Sequence, residues 1–412
     1  MNDAFEPRKT FITRRRSLQF ASCMATIACT RTSTSLFADE STPANNLESL
    51  EAKLPRSAKI IQDNLEKSGT GQFYVSVDGK PIADVAWGKV GNVAFKPETL
   101  VAWASAIKPL TCTCLMKLWE KGKLDLDDKV TRFIPEFGVQ GKEQVRIRHL
   151  LTHTAHLGGY AGPINLSPKF EDSVNKIINA PRVAGIGQGV RGSVPELGTK
   201  PGYNPAGIWI VAEICRRIDG RDFKDIIRTE VIEPCDMMNS WCGMPIERYR
   251  QYKADGLILP SRAARANPSA PADDVDVGEE RAAACQPAGG GVGPTRELAR
   301  FYEMMLRRGK VGDKQIVSPQ TVEAMTTPKT SVGIMGMWGL GFNVELPEGV
   351  TMPESARTQE RYGPHASTRT FGHNGATGML AFADPEHALA VAYIGRLPLA
   401  TSVYEDLGLV KA

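Results

Sequence analysis

A serine and a lysine three residues apart, Ser105 and Lys108 in the sequence SAIK, stand near the start of an apolar segment. Residues three apart share one face of a helix, so the lysine nitrogen can reach the serine hydroxyl. A serine attacks a carbonyl only after a base removes its proton, and a lysine of lowered pKa is such a base. The pair therefore predicts a nucleophilic serine that needs no histidine. The alternative is a helix-capping serine beside a lysine that extends to solvent.

The same spacing occurs once more, at Ser173 and Lys176. A motif of this size is expected about once by chance in a chain of this length and composition. The second copy lies in a polar stretch, FEDSVNKIINAPR, and we interpret it as a solvated helix face. Ser105 instead follows the apolar run 100–104 and precedes apolar residues at helical spacing. We therefore predict a helix over 104–121 with Ser105 at its amino end.

Further segments extend the pattern beyond this motif. They are 102–136, 146–159, 200–214, 220–240, 287–309 and 371–395. In this order they resemble the serine beta-lactamase and penicillin-binding-protein-like family, and within it the class C beta-lactamase, esterase and D-aminopeptidase group. The resemblance covers roughly residues 50–400. It implies an α+β fold of beta-lactamase/transpeptidase type, with the active site between a sheet and a helical region.

The resemblance also implies roles for individual residues. Ser105 matches the acylated nucleophile and Lys108 matches its base. Tyr203, in the sequence GYNPAG, matches a tyrosine that passes a proton to the leaving group. The backbone N–H groups of Ser105 and Ala376 match the oxyanion hole, where each fixed donor contributes about 3 kcal/mol.

Two departures from the family pattern narrow the expected substrate. Pro205 stands where the family has an asparagine that binds the substrate amide, and proline has no donor to offer. The adjacent Asn204 is a candidate for substrate binding, although we expect its side chain to point elsewhere. His373, in HNG, replaces a lysine, and a mostly uncharged histidine attracts a carboxylate only weakly. Together with Gly375 it is a candidate substrate-binding residue. The departures favour an esterase, or an amidase of small substrates, over an efficient beta-lactamase.

The sequence therefore predicts a serine hydrolase that cleaves an ester or amide through a covalent acyl-serine intermediate, without metal or cofactor. We expect a small ester, a small amide or a short peptide as substrate. The alternative enzymes are a D-aminopeptidase, a DD-peptidase and a weak beta-lactamase. The alternative from another class is a protein that binds cell-wall peptides without catalysis. The oligomeric state stays open.

The basic start of the chain predicts export. Residues 1–38 carry six Lys and Arg against two Asp and Glu, which accounts for the whole net charge of +4. The neutral remainder offers no basic surface for nucleic acid. The run RRRSL before a short apolar stretch is typical of a twin-arginine signal, with cleavage after Ala38 and a periplasmic or extracellular product. A disordered tail is the alternative. A lipoprotein cysteine at Cys23 or Cys29 is only weakly supported, and the apolar stretch is too short to span a membrane.

Local patterns predict the main secondary structure. A helix is expected over 46–68, and strands over 72–77 and 82–87 flank the hairpin signal Asp78-Gly79. A helix over 295–308 is expected to begin at Thr295 as its N-cap. Two final strands are predicted on either side of residues 384–387. These elements predict an antiparallel sheet from both chain ends, flanked by helices and interrupted by a mainly helical insertion.

The histidines and glycines were tested against metal and phosphate motifs. His149, His153 and His156 have a spacing that could suit zinc, but the glutamate of an HExxH motif is missing. The family has a similar histidine pair as structure, so we interpret these three in the same way. The glycines at 289–291 lack the Lys-Ser/Thr of a phosphate loop, and we interpret them as close backbone packing.

Domain boundaries and disulfides are the remaining predictions. We place a sheet subdomain at about 46–103 plus 285–412, and a helical subdomain at about 104–284. Most of the six cysteines beyond the signal are expected to be buried apolar residues. If a disulfide forms, the pairing that we predict is Cys235 with Cys242 across a loop.

Overall fold

The computed structural model describes residues 45–411 except 91, 160–168, 185–192, 259–277, 334, 352–360 and 396. The export signal predicted over 1–38, with Cys23 and Cys29, lies outside the described residues. The helices are α1 (Leu47–Lys53), α2 (Pro55–Asp63), α3 (Leu65–Ser68), α4 (Lys108–Glu120), α5 (Ile147–Leu151), α6 (Phe170–Asn179), α7 (Pro205–Asp219), α8 (Phe223–Ile227), α9 (Ile246–Ala254), α10 (Gly278–Ala283), α11 (Thr295–Leu306), α12 (Pro319–Thr326) and α13 (Leu399–Asp406).

The strands belong to one large sheet and several small ones. They are β1 (Gly71–Val77), β2 (Lys80–Trp87), β3 (Lys89–Val90), β4 (Val93–Ala94), β5 (Val101–Ala104), β6 (Trp241–Cys242), β7 (Gly291–Gly293), β8 (Lys310–Val311), β9 (Lys314–Gln315), β10 (Met337–Trp338), β11 (Asn343–Val344), β12 (Phe371–Asn374), β13 (Met379–Asp384) and β14 (Leu389–Ile394). Within the described residues, no helix combines the length and the apolar character needed to cross a bilayer.

A seven-stranded antiparallel sheet joins the two ends of the chain. Its order is β10-β11-β12-β13-β14-β1-β2, so the first hairpin lies beside the last strand. Asp78 and Gly79 have φ values of +50° and +66°, as a two-residue hairpin turn of type I′ requires. The predicted hairpin, the final strand pair and the α+β class are thereby confirmed.

Each face of this sheet is covered by its own core. On one face, helices α1, α2 and α13 pack over inward residues such as Phe73 and Val391. On the other face, α11 lies against β1, β13 and β14 and joins a larger core that includes α4 and α7. Alternation of side chains along β1 puts Tyr74 in this second core. Covering both faces explains why β13 and β14 are buried at every position.

Two details of the predicted helices are wrong. The helix predicted over 46–68 is broken into three. The first break is at Pro55, which lacks an N–H and starts a new helix in its first turn, and the second is at Asn64, whose φ of −117° is not helical. Helix α11 begins at Thr295, but its N-cap is Pro294. The backbone N–H of Thr295 instead donates to the side-chain oxygen of Gln72 at 3.0 Å. That bond ties the start of α11 to strand β1.

A small sheet, β5-β7-β6, supports the chain where it approaches Ser105. At Gly291 in β7, a Cβ atom would lie 2.9 Å from both the Trp103 ring and Ile107 Cβ. Only glycine therefore fits there, and a Cβ atom at Gly290 would lie 2.8 Å from Gln286 Cβ, so the predicted close packing holds at 290 and 291. At Gly289 a Cβ atom would meet nothing within 4 Å, so the prediction fails there. Strand β6 lies inside the segment predicted as helical.

Candidate active site

The chain changes direction at the predicted nucleophile. Strand β5 ends at Ala104, whose φ of +48° and ψ of −127° are unusual for a residue with a Cβ atom. Residues Ser105–Ile107 then form a single 3₁₀ turn, and helix α4 begins at Lys108. The helix predicted over 104–121 thus starts later than expected. Ser105 lies in the tight turn before it and is partly exposed.

The structure brings Ser105 and Lys108 together. Lys108 Nζ lies 2.7 Å from Ser105 Oγ, and it donates a hydrogen bond to the backbone oxygen of Ala288 at 2.5 Å. Lys108 is completely buried, so the alternative of a lysine that extends to solvent is wrong. Burial disfavours the charged amine and lowers the pKa of Lys108 to about 7. A large fraction of the side chain is therefore neutral near pH 7 and can accept the serine proton.

Tyr203 lies on the other side of this lysine. Lys108 Nζ is 5.1 Å from the centroid of the Tyr203 ring. That ring stacks on Trp338 with centroids 5.5 Å apart, and the His153 ring lies 4.9 Å away at a tilt. These contacts fix the half-buried phenol beside the amine. Trp338 could not be predicted as part of the site from the sequence, because no local motif links it to Tyr203.

Two buried histidines next to Tyr203 are uncharged. Burial, together with the nearby Lys108, lowers the pKa of His153 to about 3 and that of His373 well below its ordinary value. His373 is 1% exposed, and its Nδ1–H donates to the backbone oxygen of Asn374 at 2.7 Å. His373 therefore offers no positive charge to a substrate carboxylate near neutral pH.

The strand next to the nucleophile is held very close to it. At Gly375, just after β12, a Cβ atom would lie 2.1 Å from the backbone oxygen of Trp103. The hydroxyl of Thr377 donates to the backbone oxygen of Ala102 at 2.7 Å. These two contacts fix the exposed turn that carries Ala376 against the chain leading to Ser105.

The side chain of Asn204, a candidate for substrate binding, forms hydrogen bonds inside the protein. It is the N-cap of helix α7, and its side-chain oxygen accepts the N–H of Ala206 at 2.8 Å. Its amide nitrogen donates to the backbone oxygen of Leu157, and the residue is 4% exposed. Because both ends of the amide are engaged inside the protein, the geometry argues against a role in substrate binding.

Comparisons with known proteins agree with this arrangement. The sequence profile of the beta-lactamase family matches residues 58–402. The chain belongs to the beta-lactamase family. This is a family of serine hydrolases, so the protein is a hydrolase of beta-lactamase fold.

Its relatives in the beta-lactamase family differ in activity. The chain is 24% identical over 377 residues to the esterase/beta-lactamase LipL of Mycobacterium tuberculosis, covering 82% of this chain and 79% of LipL. A penicillin-binding protein homologue from Caulobacter crescentus matches with a TM-score of 0.67 at 21% identity, over 90% of this chain and 100% of that one. EstA from Arthrobacter nitroguajacolicus matches with a TM-score of 0.65 at 22% identity, over 86% and 96%. The two structures show the shared fold.

The three histidines near α5 bind separate pieces of backbone in this hydrolase. His149 Nδ1 accepts the N–H of Arg146 at 3.1 Å, and His156 Nε2 donates to the oxygen of Lys200 at 3.0 Å. His153 Nδ1 contacts the backbone of Asn204. Over the described ranges, no three His, Cys, Asp or Glu residues are grouped as metal ligands would be.

Two other predictions need correction. Ser173 is buried on helix α6 while Lys176 is exposed, so the solvated-face interpretation holds only for the lysine. The structure does not join Cys235 to Cys242: both are free thiols, and the nearest sulfur contact of Cys242 is with a different cysteine. The Sγ atom of Cys242 instead lies 3.7 Å from that of Cys285, because the chain after β6 runs beside the end of α10.

Proposed function

We propose that this hydrolase is an esterase-like enzyme in which Ser105 is the nucleophile and Lys108 its base. The observation that carries the proposal is the 2.7 Å contact between Ser105 Oγ and a fully buried lysine nitrogen whose pKa is lowered to about 7. A neutral amine at that distance can take the hydroxyl proton as the oxygen attacks.

The reaction would proceed in two steps. In the first, Ser105 Oγ attacks the ester carbonyl while Lys108 Nζ takes its proton, and the N–H groups of Ser105 and Ala376 stabilise the oxyanion. Tyr203 then passes a proton to the leaving alcohol, which departs and leaves an acyl-serine, and Tyr203 regains a proton from Lys108, so that the amine is neutral again. In the second step, water attacks the acyl-serine and gives up a proton to Lys108. That proton passes to Ser105 Oγ as the acid is released, which restores the serine hydroxyl and the neutral amine.

The surroundings of Ser105 favour substrates without a carboxylate. His373 is uncharged near neutral pH, and Pro205 cannot donate to a substrate amide. These properties support esters, or small amides, over beta-lactams and carboxylate-bearing peptides. The relative LipL, named as an esterase/beta-lactamase, is consistent with an esterase and does not by itself decide between the two activities. Gly375 would contribute to binding through its close approach to the strand before the nucleophile.

Covalent labelling tests this proposal. A fluorophosphonate should add one group to the protein, and peptide mass mapping should place it on Ser105. Ser105→Ala should lose both the label and the turnover of p-nitrophenyl butyrate, a fall in kcat of about 10⁴-fold or more. Ser173→Ala is the matched control, because it removes the serine of the other motif and should keep both. Labelling or turnover that survives Ser105→Ala would refute the assignment.

A substrate panel distinguishes the remaining activities. We expect hydrolysis of short esters to exceed that of a D-amino acid amide and of a chromogenic cephalosporin. Fast cephalosporin turnover would show that Pro205 does not exclude beta-lactams. Tight binding of cell-wall peptides by a protein that neither reacts with fluorophosphonate nor hydrolyses any member of the panel would favour the non-catalytic alternative.

We also propose export through a twin-arginine signal, to the periplasm or outside the cell. The basic run before a short apolar stretch supports it. Replacing Arg14 and Arg15 by lysine should retain the full-length chain in the cytoplasm. The mass of the exported protein should correspond to cleavage after Ala38, whereas a lipid-bearing Cys23 or Cys29 would add the mass of the lipid.

The division into subdomains at 46–103 plus 285–412 and 104–284 stays a proposal, testable by limited proteolysis.

A further inference from the structure

Two thiols that are 43 residues apart in sequence lie side by side. The Sγ atoms of Cys242 and Cys285 are 3.7 Å apart. The backbone on both sides is fixed: Cys242 pairs with Gly291 in the small sheet, and the N–H of Met244 donates to the oxygen of Ala282 at 2.8 Å. A Cβ atom at Gly243 would lie 3.3 Å from Cys285 Cβ, so the two chains are in direct contact.

We propose that Cys242 and Cys285 are a disulfide-forming pair, oxidised when the protein meets a disulfide oxidant. The S–S bond of about 2.05 Å requires the sulfurs to approach from van der Waals contact, which rotation of the side chains can supply. Each thiol loses a proton, and the pair gives two electrons to an oxidant such as oxidised glutathione, which leaves as two thiols. Cys285 is partly exposed, so the oxidant can reach it.

The bond would anchor the segment that holds the candidate base. Cys285 precedes Pro287 and Ala288 in the chain, and the backbone oxygens of these two residues accept hydrogen bonds from helix α4. Thr111 Oγ1 donates to Pro287 at 2.7 Å, and Lys108 Nζ donates to Ala288 at 2.5 Å. A link from Cys285 to β6 therefore restrains the acceptor of the Lys108 hydrogen bond. We expect greater resistance to heat with little change in catalysis at 25 °C.

Peptide mapping of the full chain tests the pairing without any activity measurement. One sample of the protein is incubated with oxidised glutathione and another with a phosphine reductant. Each is then unfolded in the presence of iodoacetamide, which alkylates the free thiols, and digested with trypsin. The oxidised sample should contain one cross-link between peptides 229–248 and 282–296, absent after reduction. Because peptide 229–248 holds both Cys235 and Cys242, a second digestion before Asp236 assigns the bond. A bond to Cys235, or full alkylation of Cys242 and Cys285 after oxidation, would overturn the proposal.

Thermal unfolding gives a second measurement. In a loop-closure picture, joining residues 43 apart should raise the Tm by about 5 °C in the oxidised sample relative to the reduced one. Cys285→Ala should remove this difference, whereas Cys235→Ala, the matched control, should keep it. An oxidation shift of the same size in Cys285→Ala would contradict the pairing. If Cys285→Ala does not fold, the peptide map of the unmodified sequence decides the question. Fluorophosphonate labelling plays no part here, so failure of the proposed function leaves this test intact.

Discussion

Two buried ionisable groups, Lys108 and Asp384, have opposite surroundings. Lys108 Nζ has two close partners, the hydroxyl of Ser105 and the backbone oxygen of Ala288, and both are uncharged. Asp384, at the end of β13, lies away from the nucleophile and is also fully buried. Its two oxygens accept five hydrogen bonds of 2.6–3.1 Å, from the backbone N–H groups of Ser367 and Glu386, the hydroxyls of Ser367 and Tyr404, and the Nδ1–H of His387.

The number and charge of these partners determine the protonation of each group. For Lys108, burial prevails and lowers the pKa to about 7. For Asp384, burial alone would raise the pKa, but hydrogen bonds from Ser367 and His387 hold it below its ordinary value. A buried group with few partners is thus ready to exchange a proton, while a saturated one stays charged and holds structure together. In this protein the group with few partners, Lys108, lies at the candidate active site, and the group with many partners, Asp384, lies in the structural core.

Removing the amine tests the reactive half of this comparison. Lys108→Met should lower kcat for p-nitrophenyl butyrate by about 10³-fold, because Ser105 loses its base. The Tm should stay the same or rise, because an apolar side chain avoids the desolvation cost of a buried amine. Lys176→Met, which removes the exposed lysine of the other motif, is the control and should change neither quantity. Activity near that of the unmodified enzyme in Lys108→Met would mean that another group acts as the base.

Removing the carboxylate charge tests the structural half. Asp384→Asn should lower the free energy of unfolding by about 2–3 kcal/mol, because several donors lose a charged acceptor. Asp63→Asn, at an exposed acid that pairs with Lys59, is the control and should cost less than about 0.5 kcal/mol. Turnover per folded molecule should hold in both variants. Denaturant unfolding measures the free energy of unfolding. The turnover rate divided by the number of active sites, which active-site titration gives, measures the activity per folded molecule.

The pH dependence of unfolding sharpens the Asp384 result. The folded-state pKa of Asp384 lies below its unfolded value, so its contribution is present above the unfolded pKa of about 3.9 and is lost as the pH falls through the folded one. The stabilities of the parent protein and Asp384→Asn should therefore converge in acid. A constant difference between pH 3 and pH 7 would show that the loss comes from packing instead of charge.

The lowered pKa of Lys108 predicts the activity profile. The base form of the amine increases as the pH rises through about 7, so kcat/KM should rise along the same curve. At pH 5 it should be about 100-fold below its plateau. The residual activity of Lys108→Met should lack this dependence. A profile of the unmodified enzyme that is flat from pH 5 to pH 8 would exclude Lys108 as the titrating base.

The smallest expected effect comes from the turn beside Ser105. Thr377→Val removes the hydrogen bond to the oxygen of Ala102 and should lower kcat about fivefold, because the N–H of Ala376 is held less firmly. The KM and the Tm should change little. Thr377→Ser keeps the hydroxyl and should restore kcat. A loss of kcat in Thr377→Ser with none in Thr377→Val would indicate that the methyl group, and not the hydrogen bond, holds the turn.

Local features of this fold could be predicted from the sequence. The hairpin at Asp78-Gly79 depends on two adjacent residues that tolerate positive φ. The contact between Ser105 and Lys108 depends on a spacing of three residues. The break at Pro55 was also visible in the sequence, since proline marks the first turn of a helix, but the apolar periodicity of the surrounding segment concealed it.

Long-range contacts of the site could not be predicted. The acceptor for Lys108 is a backbone oxygen 180 residues away, at Ala288, and every residue carries such an oxygen. Trp338, at the end of β10, stacks on Tyr203, which lies just before α7, and a lone tryptophan gives no signal of its partner. Asn204 was predicted as a candidate for substrate binding because it lies next to Tyr203 in the tyrosine motif. Its place before Pro205 is equally typical of a helix N-cap. The choice between these two roles needs the fold.

The pairing of β1 with β14 has a consequence during synthesis. Gln72 lies opposite Ile394, so β1 gains this neighbour only after about 320 further residues have been made. The segment that carries His373 and Gly375 is likewise made long after Ser105. A chain that stops before β12 therefore contains the serine but lacks the strand that lies beside it. We expect such truncated chains to have no hydrolytic activity.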